Sequence, residues 1–325
     1  MKLLILGATG MIGRKLLDRL AALGRLNGQT IDGVVMHDVV ESKPPAGLPF
    51  PVEVIVGDYA APGTAATLVA SRPDVIFHLA SIVSGEAEAR FEEGYRVNLD
   101  GTRAMLEAIR ALDGYTPRVV FTSSLAVFGG PFPDVVDDDF LTAPASSYGV
   151  QKVMVELLLA DYSRKGILDG VAIRLPTICV RPGRPNAALS SFVSSLIREP
   201  LNGVEAVLPV AETMRVWIAS PRAAVGYLLH AATMDSAALG ARRSLNMPGV
   251  SVTIAEQIEA LRRHAGEEAV KLIHPRPDPV VAEVVGSWPR DFTADRARAI
   301  GFTGDAGFDA ILDAYIEDDY SRAGR

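Results

Sequence analysis

Short apolar runs recur along the first half of the chain, separated by stretches long enough for helices. Lys2-Leu-Leu-Ile-Leu6, Val34-Val-Met-His-Asp38, Val52-Glu-Val-Ile-Val56, Asp74-Val-Ile-Phe-His-Leu-Ala80 and Arg118-Val-Val-Phe-Thr-Ser-Ser124 each read as a strand. A sixth run leads into Arg174. The fourth is apolar throughout, as a parallel strand covered on both faces must be. Helical segments are predicted at 14–23 and 87–111. Strands alternating with helices of this length make a βαβ series, so the fold class is α/β, a doubly wound parallel sheet.

Beyond residue 175 the pattern becomes shorter in range. A helix is expected at 187–198, and another begins at Ser220-Pro221, with serine as N-cap and proline in the first turn. Ser244-Leu-Asn-Met247 reads as a short strand, and Ser251-Val-Thr253 as the cap of a helix running to His264. A strand over 270–274, a helix over 278–287 and a last helix opening at Thr293 complete the reading. There is no internal repeat and no low-complexity linker.

Composition narrows the class. With 325 residues and 49% hydrophobic content the chain can bury a sizeable core, in one large or two smaller domains. A net charge of -7, without a Lys/Arg cluster, argues against nucleic acid or an anionic membrane as the main partner. One cysteine, Cys179, excludes an internal disulfide and suits a reducing, cytoplasmic setting. The five histidines have no metal-ligand spacing, so no metal site is expected. The opening apolar run is too short for a membrane span and lacks a signal-peptide pattern.

The first strand empties into Gly7-Ala-Thr-Gly10-Met11-Ile12-Gly13. Gly7 permits the tight turn, Gly10 lets backbone N–H groups approach a pyrophosphate, and Gly13 lets the next helix lie against the strand. The helix N-terminus then faces the phosphates with its unpaired N–H groups and positive dipole end. The spacing is G-x-x-G-x-x-G, not the commoner G-x-G-x-x-G, so context must support it. Asp38, at the end of the second strand, stands where a carboxylate binds the adenosine ribose hydroxyls and repels a 2′-phosphate, which favours NAD over NADP; a solvated turn residue is the alternative. Asp58, at the end of the third strand, reads as a contact to the adenine amino group or as a plain turn residue. Ala80 and Ser81, at the end of the fourth, are small enough to leave room for a cofactor.

Downstream, Tyr148 and Lys152 stand at i and i+4 of a helix that opens at Ser146-Ser147, on one face. A phenol ionises near pH 10, and an ammonium on the next turn lowers that value enough to make Tyr148 a general base. Ser124, at a strand terminus, can donate a hydrogen bond to the oxygen being oxidised or reduced.

As a set, Gly7 to Gly13, His78-Leu79-Ala80, Asn98-Leu-Asp-Gly-Thr102, Thr122-Ser-Ser-Leu-Ala-Val-Phe-Gly129, Tyr148-x-x-x-Lys152 and Arg174-Leu-Pro-Thr177 resemble the extended short-chain dehydrogenase/reductase superfamily, in that superfamily's order. The resemblance implies a Rossmann domain over 1–175 and, over 176–325, a smaller, partly interleaved substrate-binding lobe. It implies Ser124, Tyr148 and Lys152 as the catalytic triad, with Asn98 supporting the site and Lys152 also holding the nicotinamide ribose. Gly7, Gly10, Met11, Ile12, Gly13, Asp38, Asp58, Leu79, Ala80, Ser81 and Asn98 would line the NAD site. Thr177 stands at a substrate-contacting position. A homodimer through the helices near Asn98 and Tyr148 is expected by the same likeness.

The second half departs from the nucleotide-sugar enzymes of that superfamily. Val127-Phe128-Gly129 replaces Val-Tyr-Gly, and Arg215 is followed by Val216-Trp217-Ile218 without the usual acid and histidine. A smaller substrate bearing a carboxylate, gripped by Arg215 or by an arginine of the Arg181-to-Arg184 loop, fits better, because a guanidinium forks onto a carboxylate. Leu175 to Asn186, Ser190-Ser191-Phe192, Arg198-Glu-Pro-Leu201 and Arg215 to Arg222 resemble the D-erythronate dehydrogenases, which use NAD to oxidise the 2-hydroxyl of a four-carbon sugar acid. A nucleotide-sugar epimerase or another reductase is the rival reading, and a cofactor-binding regulator without catalysis the remote one.

Overall fold

The computed structural model of the chain describes residues 1–183 and 190–320. Its main sheet has seven strands: β1 (Lys2–Leu6), β2 (Gly33–Asp38), β3 (Val52–Val56), β4 (Val75–His78), β5 (Arg118–Ser124), β6 (Asp169–Leu175) and β7 (Ser244–Asn246). The spatial order is β3-β2-β1-β4-β5-β6-β7, and the four pairs from β3 through β5 are parallel. Chain direction across the sheet reverses between β1 and β4, which makes the carboxyl ends of those two strands the crevice where an open α/β sheet takes its ligand.

Apolar periodicity explains how the helices cover the sheet. Helix α1 (Met11–Leu23) buries Gly13, Leu16, Leu17 and Leu20, one stripe at helical spacing, and stops at Gly24 in the left-handed region, whose N–H returns to the Leu20 carbonyl. Helix α2 (Thr102–Arg110) buries Met105, Leu106 and Ile109 against Leu4, Leu6, Ile76 and Phe121 of the sheet. Helix α3 (Ser147–Arg164) adds Val155 and Leu159 to the same core. Each such side chain contributes about 1.5–3 kcal/mol by leaving water.

Contacts divide the chain into two units, neither of them contiguous. The first comprises Met1–Val127, Pro144–Arg174 and Val225–Leu245; the second comprises Phe128–Ala143, Leu175–Ala224 and Asn246–Arg325. Within the second unit, Arg215–Ala219 pairs antiparallel with Val250–Thr253 and parallel with Thr177–Ile178. Among the described residues no helix is long and apolar enough to cross a membrane.

Several elements of the second half differ from the sequence reading. The helix capped by Thr253, whose capping box with Glu256 is complete, runs from Ile254 to Val270 across a break at Gly266 (φ 79°). The strand expected from Val270 therefore starts only at Ile273 and ends at Pro275. The helix expected at Thr293 opens at Asp295, because Ala294 takes a left-handed φ of 49°. The helix expected from Ala187 is described from Ser191 to Leu201; residues 184–189 lie outside the described part. A final helix, Phe308–Tyr315, went unread, although Phe308, Ile311, Leu312 and Tyr315 mark one buried face.

Candidate active site

The glycine turn is built by close backbone approach. Gly7 has φ +80° and donates its N–H to the His37 carbonyl at 2.9 Å; a Cβ there would stand 2.7 Å from the Ala80 nitrogen. At Gly13 a Cβ would stand 2.4 Å from the Gly7 oxygen, so only glycine lets α1 start this close to the turn. Gly10 behaves differently. A Cβ on it would meet only the Gly7 oxygen at 3.4 Å, an ordinary contact, so nothing in the chain itself demands glycine at that place. The demand fits a ligand. Gly10 is the N-cap of α1 without a side-chain cap bond, and the first turn, which includes Met11 and Ile12, holds no acid. Backbone donors and the positive dipole end are left facing outward, which suits the pyrophosphate of NAD.

Around that turn, the ends of neighbouring strands are tied to it. Asp38, at the end of β2, accepts from the Thr9 N–H at 2.9 Å and from the Val40 N–H at 3.2 Å. Asp58 accepts from the Ala60 N–H at 2.9 Å and pairs with Arg96 at 2.6 Å, so it holds a turn and an exposed arginine. Past β4, the Leu79 N–H reaches the Leu6 carbonyl at 2.9 Å and the chain continues through Ala80 to Ser81.

Asn98 holds that continuation. It lies on a π-helical stretch, Tyr95–Gly101, and is buried. Its Oδ1 accepts from the Ile82 N–H at 2.8 Å and the Ser81 hydroxyl at 3.0 Å, while its Nδ2 donates to the Ile82 carbonyl at 3.0 Å and to Gln151 Oε1 at 2.7 Å. These bonds saturate the amide. Asn98 thus clamps the loop after β4 to α3. Beside it, His78 bonds to Thr102 Oγ1 at 3.0 Å, and Thr102 donates onward to the Asn98 carbonyl at 2.8 Å. With the threonine proton so committed, His78 Nε2 is the donor, and burial pushes the ring down to about 3, so it stays neutral.

Helix α3 opens at Ser146, whose hydroxyl accepts from the Gly149 N–H at 3.2 Å. A Cβ on Gly149 would stand 2.0 Å from the Ala126 oxygen, so glycine lets this helix meet the loop after β5. That contact brings Tyr148 and Lys152 to the end of β5, where Ser124 accepts from the Ala126 N–H at 3.1 Å. Lys152 is buried and donates to the Thr122 carbonyl at 2.9 Å. Its Nζ lies 4.6 Å from the Phe121 ring centroid and 5.3 Å from that of Tyr148. Burial pushes the ammonium from its ordinary 10.5 down to about 7, against the upward pull of Glu156. Tyr148 is half-buried, its ring directly under the cation.

Of the residues expected to touch substrate, Ser124 and Tyr148 belong to the first unit, and Thr177, Arg181 and Arg215 to the second. Thr177 pairs with Ile218 in the small sheet. Arg181 turns its Nε onto the Ile178 carbonyl at 3.1 Å, and its N–H onto Ser194 at 3.0 Å. Arg215 donates to the Ser251 carbonyl at 3.1 Å, lies 3.8 Å from Glu256, and keeps 39% of its side chain exposed. Arg184 lies outside the described residues. Two partners went unread in the sequence: Gln151, which receives Asn98, and Glu156, one turn beyond Lys152 on the face it shares with Tyr148. The i, i+4, i+8 spacing of Tyr148, Lys152 and Glu156 was the available signal for the second.

Residues 3–237 match the family described as NAD dependent epimerase/dehydratase. The chain is 49% identical to a D-erythronate dehydrogenase of Cupriavidus necator, covering 98% of each chain, and 40% identical to one of Haemophilus influenzae, covering 98% of this chain and 100% of that one. Among solved structures it is similar to a nucleoside-diphosphate-sugar epimerase from Agrobacterium tumefaciens, with 54% identity, a TM-score of 0.97, and coverage of 99% of this chain and 95% of that one.

Proposed function

The chain belongs to the NAD dependent epimerase/dehydratase family, and from that premise we propose that it oxidises the C2 hydroxyl of a small sugar acid, D-erythronate, to the 2-oxo acid. The observation that carries the substrate is whole-length likeness to two D-erythronate dehydrogenases, at 49% and 40% identity. The site supports the reaction type.

Bound NAD supplies the acceptor for the hydride that leaves C2. It would be held by Gly7 to Gly13 at the pyrophosphate, by Asp38 at the adenosine ribose, by the Leu79-to-Ser81 segment alongside, and by Tyr148 and Lys152 at the nicotinamide ribose, with Asp58 at the adenine edge. Ser124 and Tyr148 hold the C2 hydroxyl. The Lys152 ammonium stabilises the Tyr148 phenolate, which takes the proton of that hydroxyl and becomes the neutral phenol. The acid's carboxylate falls to Arg215, whose guanidinium is oriented by the Ser251 carbonyl and remains more than one-third exposed. Thr177 and Arg181 complete the substrate contacts.

A second reading rests on the likeness to the nucleoside-diphosphate-sugar epimerase from Agrobacterium tumefaciens. An epimerase returns its hydride and shows no net reduction of the cofactor. The absorbance of NADH, followed while the protein with excess NAD⁺ meets four- to six-carbon aldonic acids and UDP- and dTDP-sugars, separates the two. The expected result is a rise with D-erythronate that Tyr148→Phe abolishes. Silence on every acid, with conversion of a nucleotide sugar, would overturn the substrate; normal turnover by Tyr148→Phe would overturn the base.

The assembly we favour is a cytoplasmic homodimer. Phe91 on the helical run leading to Asn98, and Met154 and Leu157 on α3, expose 57%, 39% and 66% of their surface, apolar area that a second copy would cover. Light scattering at micromolar concentration tests it.

A further inference from the structure

Glu156 is a buried carboxylate that the reaction as written does not use. It lies on α3 one turn past Lys152, itself one turn past Tyr148, so the three share a face. Arg174, from β6, forks onto it through Nε at 2.9 Å and Nη2 at 2.7 Å, and Ser123, on β5, donates its hydroxyl to Oε1. Arg174 reaches on to the Ser244 hydroxyl of β7 at 3.2 Å. The carboxylate therefore joins one helix to three strands beneath the site. Its grip on Ser123 is flanked by two others on consecutive residues: Lys152 on the Thr122 carbonyl, and the substrate-holding Ser124.

We propose that Glu156 is a positioning residue for this reaction, a buried carboxylate clamped by Arg174 and Ser123 that fixes the end of β5 against α3 and supplies the counter-charge for the Lys152 ammonium. This deepens the reading of Tyr148 as base and rests on it. Among the described residues, the groups that face Lys152 include no other anion for that task. From its own helix come Tyr148 and Glu156; from β5, the Thr122 carbonyl and Phe121 ring; from β4, His78, held neutral by burial; and from β6, Arg174, a cation that acts through Glu156. Among the described residues, the Glu156 carboxylate pulls the buried ammonium upward, against burial. Arg174, paired to the same carboxylate at 2.7 Å, places a positive charge beside it that offsets part of its field.

The test measures Lys152 directly and through catalysis. The ¹³Cε shift of Lys152 in the full chain, identified by its absence from Lys152→Met, is followed against pH in the wild type, in Glu156→Gln, in Glu156→Asp and in the double variant Glu156→Gln, Arg174→Gln. The double variant removes the buried pair whole and leaves no uncompensated buried charge. Expected is a titration displaced to lower pH in both Gln variants and returned toward wild type by Asp. Over the same series kcat for acid oxidation falls at neutral pH by about tenfold, the alkaline limb of its profile moves down, and KM for NAD⁺ stays within about twofold. An unmoved Lys152 titration, a moved one with unchanged kcat, or failure of both Gln variants to fold would each overturn the proposal, the last by showing a packing element alone. Should Tyr148→Phe keep its turnover, the base assignment fails, while the Lys152 titration still reports on Glu156.

Discussion

Asp38 Oδ2 accepts the Thr9 backbone N–H at 2.9 Å, so the carboxylate proposed to bind the adenosine ribose also holds the turn proposed for the pyrophosphate. Its two tasks separate by substitution. Asp38→Asn keeps an acceptor for Thr9 and removes the charge that repels a 2′-phosphate, so it should bind NADP more tightly than the wild type while weakening NAD modestly. Asp38→Ala loses both and should weaken NAD by about ten- to a hundredfold, the range of one hydrogen bond to a charged group. Fluorescence titration with each nucleotide checks both.

Gly10 and Gly13 make a matched pair. Gly13→Ala places a Cβ 2.4 Å from a backbone oxygen that cannot turn aside, so stability should fall by about 1–3 kcal/mol or more, together with NAD binding. Gly10→Ala meets only an ordinary contact and should melt near the wild-type temperature yet lose NAD affinity. Equal losses of stability in the two would show that Gly10 is a folding residue.

Lys152 links stability to pH. The unfolded chain holds this proton to about pH 10.5 and the folded chain releases it near 7, so between those values the unfolded state binds more protons and stability rises with pH. The slope reaches at most about 1.4 kcal/mol per unit, and below pH 7 the cost of the buried cation is constant. In Lys152→Met that rise disappears. Urea midpoints of both proteins without cofactor at pH 7 and 9 measure it; parallel curves would refute the assignment.

Arg215→Ala should raise KM for the acid substrate by about ten- to a hundredfold, the value of a charge-assisted contact, without changing NAD binding. Arg215→Lys should recover part of the loss, since a point charge lacks the fork. An unchanged KM in Arg215→Ala would move the carboxylate to the Arg181 loop.

The strands, the glycine turn and the Tyr148–Lys152 spacing were legible because each is local: an apolar run, a backbone constraint, a helical interval. What the sequence concealed is set by residues far apart in it. Asn98 reads as a site residue by likeness, yet its saturated amide is explained only by Ile82 and Gln151 coming together across α3. The surroundings that set where Lys152 titrates have no trace in the order of residues around it, since burial against Phe121 and Thr122 is opposed by a carboxylate whose partner, Arg174, arrives on another strand. Gly266 misled the reading of 270–274, because a helix that breaks and resumes for one turn has no periodic signal of its own.

Because both units are assembled from separated stretches, their order of completion on the ribosome is constrained. The main sheet lacks its last strand until Ser244–Asn246 has been made, and Arg174 waits until then for the Ser244 hydroxyl. The glycine turn, Asp38, Ser124, Tyr148 and Lys152 all emerge well before that point. The nascent chain therefore carries every group of the proposed catalytic triad while an edge of its sheet is still open, and long-range closure of this kind is slow. Truncations ending before residue 244 should accordingly be substrates for chaperones and proteases rather than smaller working enzymes.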